Sequence, residues 1–262
     1  MTHSPVAALH PLTWLFQRNS SRWAHNATAS SLADGIPAPA REHPLDPWQP
    51  LPPPALPDVA LSRLLRARAS CRRFEATPID VGALATLLAA GYGVLGRSRF
   101  GSMEMLERPV PSGGGLYPLE FSVLARHVDG VAAGIHHYHA LCHGLEARRD
   151  IDLPKPLLDY LFMGQGYATA APVLIVVSGA FERTLGKYGD RGYRYLLLEA
   201  GHAMQNINLC AAALGLGSCN LGGFFDDELG DLLRLEHGVE FPVYAVAIGV
   251  PAEDREAGRS PD

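Results

Sequence analysis

Between Ala200 and Phe225 the chain carries no Asp, Glu, Lys or Arg. A stretch of this length without charge is either a membrane span or a segment buried inside a fold. His202, Gln205, Asn206, Asn208 and Asn220 decide between the two, because lipid would leave their side chains without hydrogen-bond partners. The stretch is therefore expected to be a core or interface helix. Leu197, Ala200, Met204, Ile207, Ala211 and Leu214 fall on one stripe at three- and four-residue spacing, which predicts a helix over Tyr193–Leu214. Gly215 and Gly217 should end it.

With 262 residues there is enough chain for one good-sized core and a small appendage. A net charge of −5 without a Lys/Arg run gives no reason to expect a nucleic-acid partner. The cysteines Cys71, Cys142, Cys210 and Cys219 lack CxxC spacing, so reduced thiols and a cytoplasmic location are expected. No basic, then apolar, segment opens the chain in the manner of a secretory signal.

Residues 1–57 read as an irregular extension. Ser and Ala crowd 20–33, and nine prolines fall between Pro37 and Pro57, a composition that resists helix and sheet alike. Trp14, Trp23 and Trp48 suggest that parts of it dock. From residue 58 to 262 the pattern is regular. Helices are expected from Val59 to Arg68, after an Asp80 cap with Leu84, Leu87 and Leu88 inward, over Leu157–Phe162, and from an Asp226 cap to Leu233. Strands are expected at Phe121–Ala125, Pro172–Ser178, Ser218–Leu221 and Pro242–Gly249, with a hairpin over Gly134–Ala140 and Leu145–Arg148. Without a regular βαβ rhythm the class is α+β, a central mixed or antiparallel sheet flanked by long helices.

Four segments could carry chemistry. In Arg68-Ala69-Ser70-Cys71-Arg72 an extended backbone would send Arg68, Ser70 and Arg72 to one side. Two guanidiniums around a hydroxyl suit a phosphate monoester. Arginines closing a helix serve its dipole just as readily. In Pro111-Ser112-Gly113-Gly114-Gly115 the glycines let backbone amides approach a ligand, although neither a Walker A loop nor a GxGxxG fingerprint is present. Gly222 and Gly223 follow a buried strand and could present N–H groups to a flat ring, or simply make a turn. Lys187 and Tyr188, ahead of the long helix, form an acid/base candidate if burial disfavours the ammonium, or else a solvated loop. His136, His137, His139 and His143 invite a metal, but alternate along a strand without a clear carboxylate or thiolate partner.

Together these motifs, RxSxRxF at Arg68–Phe74, PSGGGLYP at Pro111–Pro118, KYxxRxYRYxxLEAGHxxQN from Lys187, and LGGFFDDEL from Leu221, resemble the SagB-type dehydrogenases of the nitroreductase superfamily over about residues 58–251. The resemblance implies an FMN-binding domain over 58–262 and a homodimer with the flavin between subunits. It implies that Arg68, Ser70 and Arg72 hold the FMN phosphate and ribityl chain, and that Ser112, Gly113 and Gly114 contribute from the other subunit. Gly222 and Gly223 would offer an amide to flavin N5, Gln165 would reach the pyrimidine edge, and Arg259 would be a second phosphate ligand. Lys187-Tyr188 stands at the catalytic pair of azoline oxidases. These oxidise thiazoline or oxazoline rings in peptides to thiazole or oxazole, passing hydride to the flavin, with oxygen as the final acceptor.

Such enzymes work beside a cyclodehydratase and can carry recognition modules. A proline-rich extension of about 57 residues is too small for one, so a partner, a peptide synthetase or a carrier protein would deliver the substrate. Two other activities fit the same motifs: an NAD(P)H-dependent nitro or quinone reductase, and a silent flavin-fold subunit scaffolding a peptide-modifying complex.

Overall fold

The computed structural model describes residues 10–21, 48–101 and 103–252. Trp23 and Arg259 lie outside them.

The centre is a seven-stranded sheet in which every neighbouring pair is antiparallel. Its strands are β1 (Trp48–Pro50), β5 (Leu119–Ala125), β7 (Gly134–His139), β8 (Gly144–Arg149), β9 (Val173–Ala180), β10 (Gly217–Leu221) and β11 (Glu240–Gly249), in the order β1-β8-β7-β5-β9-β11-β10. All eight residues of β9 are buried, because helices cover both faces of the sheet. Val173, Ile175 and Val177 face a core shared with α3 (Val81–Tyr92) and α7 (Arg191–Ala213). Leu174 and Val176 face a second core under α4 (Lys155–Leu161), α5 (Gly166–Ala170) and α8 (Asp226–Leu233). A strand buried on both faces shows a continuous apolar run rather than alternation, as Val173–Val177 does.

Asp80 caps α3 as expected, its carboxylate accepting from the Gly82 and Ala83 N–H groups. In α7 the stripe holds from Ala200 to Ala211, but Leu197 is 40% exposed and Leu196 is the residue that packs inward. Asp226 is the first helical residue of α8, not its cap; that position belongs to Phe225, and the three acids of the first turn favour the helix dipole instead. The helix expected from Val59 is shorter, α2 (Leu61–Ala67), and buries no residue.

The N-terminal extension is not irregular throughout. Pro11–Asn19 forms α1, with Pro11 in its first turn, where the missing N–H costs nothing. Arg194 of α7 donates to Gln17 and Ser20, and Phe16 meets Tyr193 edge-on. Trp48 packs on Gly144 at the sheet edge. Further elements were not expected, among them a hairpin of β3 (Gly96–Phe100) and β4 (Met103–Glu107), the short helix α5, and helix α6 (Glu182–Tyr188). A parallel bridge of β2 (Ile79–Asp80) with β6 (Val128–Asp129) completes the strands.

Phe121 is fully buried and stacks on Tyr92, ring centroids 5.1 Å apart, between α3 and the sheet. Phe121→Ala is expected to lower unfolding stability by about 3–5 kcal/mol, since the cavity adds to the lost transfer energy. Denaturant titration checks this, and a loss below about 1 kcal/mol would mean that the site collapses around the gap.

Candidate functional site

The Gly-rich segment forms a tight turn at Gly113–Gly115, stabilised by the Gly115 N–H on the Ser112 carbonyl at 3.1 Å and the Tyr117 N–H on the Ser112 hydroxyl at 2.9 Å. Gly114 has φ +67°, a left-handed conformation that favours glycine. A Cβ there would lie 2.6 Å from both Lys187 Nζ and the Tyr188 hydroxyl. The glycine therefore serves two needs at once, and it lets the loop lie directly on the Lys-Tyr pair.

Lys187 and Tyr188 are not on a loop. They form the last turn of α6, both half-buried. The ammonium is 5.5 Å from the Tyr188 ring, and Tyr188 meets Tyr195 of α7 edge-on at 4.9 Å. One turn earlier, Arg183 donates to the Tyr117 carbonyl and pairs with Glu120 at 2.6 Å, tying α6 to the end of the loop and the start of β5. Ser112, Gly113, Gly114, Lys187 and Tyr188 are thus brought together within one chain.

The arginine segment lies elsewhere. Arg68 leaves α2 with extended backbone (ψ 117°), Ser70 bridges Ser218 in parallel fashion, and the Cys71 N–H donates to the Ser218 carbonyl at 2.9 Å. Cys71 lies against Gly217, so the alternate residues Arg68, Ser70 and Arg72 take the opposite side of the strip. Among the described residues neither Arg68 nor Arg72 forms an ion pair. Arg72 lies 6.0 Å from the Tyr167 ring. Two such guanidiniums around an exposed hydroxyl fit a phosphate.

Gln165 has a structural task here. Its amide donates to the Phe162 and Gly223 carbonyls at 2.9 and 2.6 Å, and its oxygen accepts from Tyr167. Both donors are spent on backbone, so Gln165 braces the Gly222–Gly223 turn. Gly222 itself is open: a Cβ would meet only Tyr244, at 4.0 Å. Arg259 falls outside the described residues. The four histidines separate. His136 bonds the Ala132 carbonyl, His137 approaches Glu120 at 3.4 Å, the His139 ring accepts from the Cys142 N–H, and His143 bonds Tyr138 and the Pro52 carbonyl. Among the described residues no group of three or more His, Cys, Asp or Glu could hold a metal, and no helix is long and apolar enough to cross a membrane.

A buried polar group under the loop carried no assignment in the sequence. Glu199 accepts from the Tyr92 hydroxyl at 2.7 Å, and the Arg108 guanidinium stacks over Tyr92 and Tyr117 at 4.4 and 4.9 Å. Burial pushes the Glu199 carboxyl up from its ordinary range, with Ser112, Tyr92 and Arg108 opposing. Burial, then the nearby Glu199, pushes the Tyr92 phenol well up. The available signal was a lone acid inside an otherwise apolar helical stretch.

The two clusters stand at opposite ends of α7. Gly113 packs on Tyr195 near its start, while Cys71 packs on Gly217 just beyond its end. From Tyr195 to Ala213 the helix rises about 27 Å.

Residues 65–250 match the Nitroreductase family. A nitroreductase-family protein of Methanocaldococcus jannaschii, MJ1384, is 32% identical over 200 residues, 75% of this chain and 93% of that one. The microcin B17-processing protein McbC of Escherichia coli is 30% identical over 155 residues; the match spans 57% of each protein. Among solved structures, the E. coli microcin synthetase McbBCD complex with truncated pro-MccB17 bound superposes with a TM-score of 0.61 at 26% identity, covering 76% of this chain and 75% of the matched one. A nitroreductase-type structure from Desulfovibrio desulfuricans in complex with FMN shares the fold, with a TM-score of 0.52 at 22% identity over 78% of this chain and 93% of that one. By the match over residues 65–250 and these likenesses, the chain belongs to the nitroreductase family.

Proposed function

We propose that this chain is an FMN-dependent oxidoreductase that oxidises thiazoline or oxazoline rings in a peptide or carrier-bound substrate, and that it works as a homodimer. The observation that carries the reading is the closure of Gly114 on Lys187 and Tyr188. It sets the Lys187 amino group and the Tyr188 hydroxyl side by side against the Gly-rich loop, and whichever of the two is deprotonated, as free amine or phenolate, would take the ring proton. The likeness to McbC and to the microcin synthetase complex supports a peptide substrate and a cyclodehydratase partner. The division into a 1–57 extension and a 58–262 flavin-binding domain belongs to the same proposal.

Arg68, Ser70 and Arg72 would hold the FMN phosphate and ribityl chain; Arg259 would add to them from the tail. Gly222 and Gly223, braced by Gln165, would offer backbone N–H to the ring, and Ser112, Gly113 and Gly114 would close on it from the partner subunit. When bound, FMN supplies a hydride acceptor. The chain's own residues do the rest: Lys187 or Tyr188 holds the abstracted proton, Arg183 fixes α6 against the loop, and the tyrosines around the pair exclude water.

The separation along α7 supports the dimer. One protomer keeps the phosphate-type arginines far from the Gly-rich loop, whereas an isologous pair can set one protomer's arginines against the other's loop. Exposed Leu61, Leu65, Leu197 and Leu198, the last 62% exposed, leave apolar surface on α2 and α7 for such a contact.

The direct test mixes the FMN-loaded protein with a peptide bearing a thiazoline or oxazoline in air. The expected product has lost two hydrogens per ring by mass spectrometry. Rapid NAD(P)H consumption with a quinone or nitroarene, and an unchanged peptide, would move the assignment to the reductase activity. Protein that remains colourless with added FMN would be a silent subunit.

A further inference from the structure

Glu199 is a buried polar group beside the Gly-rich loop that the proposed reaction does not use. It sits one turn after Tyr195 on α7 and is only 2% exposed. An ionised carboxylate at that depth needs a cation or several hydrogen bonds. Among the described residues no salt bridge reaches it. Oε1 accepts from the Tyr92 hydroxyl, which in turn accepts the Leu119 N–H at 3.1 Å; Oε2 is buried without a partner. Ser112, whose hydroxyl oxygen is held by the Tyr117 N–H, bears on the same carboxyl. Through Tyr92, Glu199 thus anchors Leu119 beyond the loop's end, and Ser112 at its start lies near enough to act on the carboxyl. Between them lies Gly114, in contact with Lys187 and Tyr188.

We propose that Glu199 is a positioning residue, the buried post that holds both ends of the Gly-rich loop and so sets Gly114 against Lys187 and Tyr188. This rests on the assignment of Lys187 and Tyr188 as the acid/base pair. The groups facing the carboxyl are Tyr92 from α3, and Ser112, Tyr117 and Arg108 from the loop and the segment before it; Tyr195 and His202 flank it on α7. Burial favours the neutral acid, which keeps a proton for its unpartnered oxygen. Ionisation would place a charge there that burial penalises more than Ser112, Tyr92 and Arg108 compensate, and opening of the loop to water would relieve it. The sign follows. The folded state holds this proton more tightly than the unfolded chain, so the stabilisation is complete below the ordinary carboxylate range and is lost as pH rises through the raised value.

Glu199→Gln separates this from a merely space-filling role, because the amide keeps a donor and an acceptor but cannot ionise. The measurement is amide hydrogen exchange of residues 112–119 in the full-length protein across pH, corrected for intrinsic exchange, with the FMN dissociation constant followed in parallel. In the wild type, loop protection is expected to fall about tenfold as pH rises, the equilibrium equivalent of one buried hydrogen bond. In Glu199→Gln it should stay level, with FMN affinity at neutral pH within about twofold of wild type. Glu199→Ala should lose loop protection at every pH. Wild type and Glu199→Gln that protect the loop alike across the range overturn the proposal. If Glu199→Ala does not fold, the Gln comparison alone decides. Full turnover by Lys187→Ala would refute the acid/base pair while leaving the exchange result readable on its own.

Discussion

Lys187→Ala is expected to lower turnover by about two to four orders of magnitude, the usual worth of a positioned proton-transfer group, while leaving FMN bound. The ammonium lies under Gly114 and beside Tyr188, whereas the arginines suited to the phosphate stand at the far end of α7. Removing Lys187 therefore strips the acid/base pair without touching the anion contacts. The check is kcat beside the flavin absorbance per subunit. Loss of yellow colour together with turnover would make Lys187 structural. Tyr188→Phe then assigns the base: it keeps the packing on Tyr195 but removes the hydroxyl, so only a phenol-based proton transfer should suffer comparably.

Replacing Arg68 and Arg72 together by Ala should raise the FMN dissociation constant by more than about a hundredfold, since each charge-assisted contact contributes roughly 1.5–3 kcal/mol. The revealing step is to mix this variant, as refolded or co-expressed hybrids, with Lys187→Ala. If each site draws arginines from one protomer and Lys187 from the other, a hybrid dimer has one site with both lesions and one with neither. Random pairing makes half of the dimers hybrid, so about a quarter of the wild-type activity should return from two inactive parents. No recovery would mean that a single protomer holds the whole site, and the 27 Å spacing would need a different explanation.

What the sequence makes legible is what neighbouring residues decide. Asp80 caps α3 because its carboxylate reaches N–H groups two and three positions on. The stripe from Ala200 to Ala211 follows from spacing alone. Leu197 breaks that stripe near the start of α7, where Leu196 instead packs on the sheet against Gly179 and Leu197 is turned outward. Helix α6 was hidden by Gly186 and by the glycines at 189 and 192, which read locally as a loop; its stability comes from Arg183 on the Tyr117 carbonyl and Glu120, contacts more than sixty residues away. The β3–β4 hairpin, Arg97 paired with Glu104 across it, has no apolar alternation to announce it. The site shows the same division. The residue types at Arg68–Arg72, Ser112–Gly114 and Lys187–Tyr188 were visible, but their grouping was not. Gln165 as a brace depends on Gly223, and Glu199 as a post depends on Tyr92 and Ser112. No local pattern encodes partners that far along the chain.

The two outer strands of the sheet are protected by different means. β1 is three residues long and ends in Pro50, which has no N–H to offer a further strand. On the opposite side, β10 has its free backbone partly occupied by Ser70 and Cys71. The strip that carries Arg68, Ser70 and Arg72 is therefore also a bandage over an otherwise adhesive border. A mutation that pulls this strip away would uncover hydrogen-bonding groups that other chains can recruit, so clumping, and not merely a weaker grip on an anion, would accompany damage at that place.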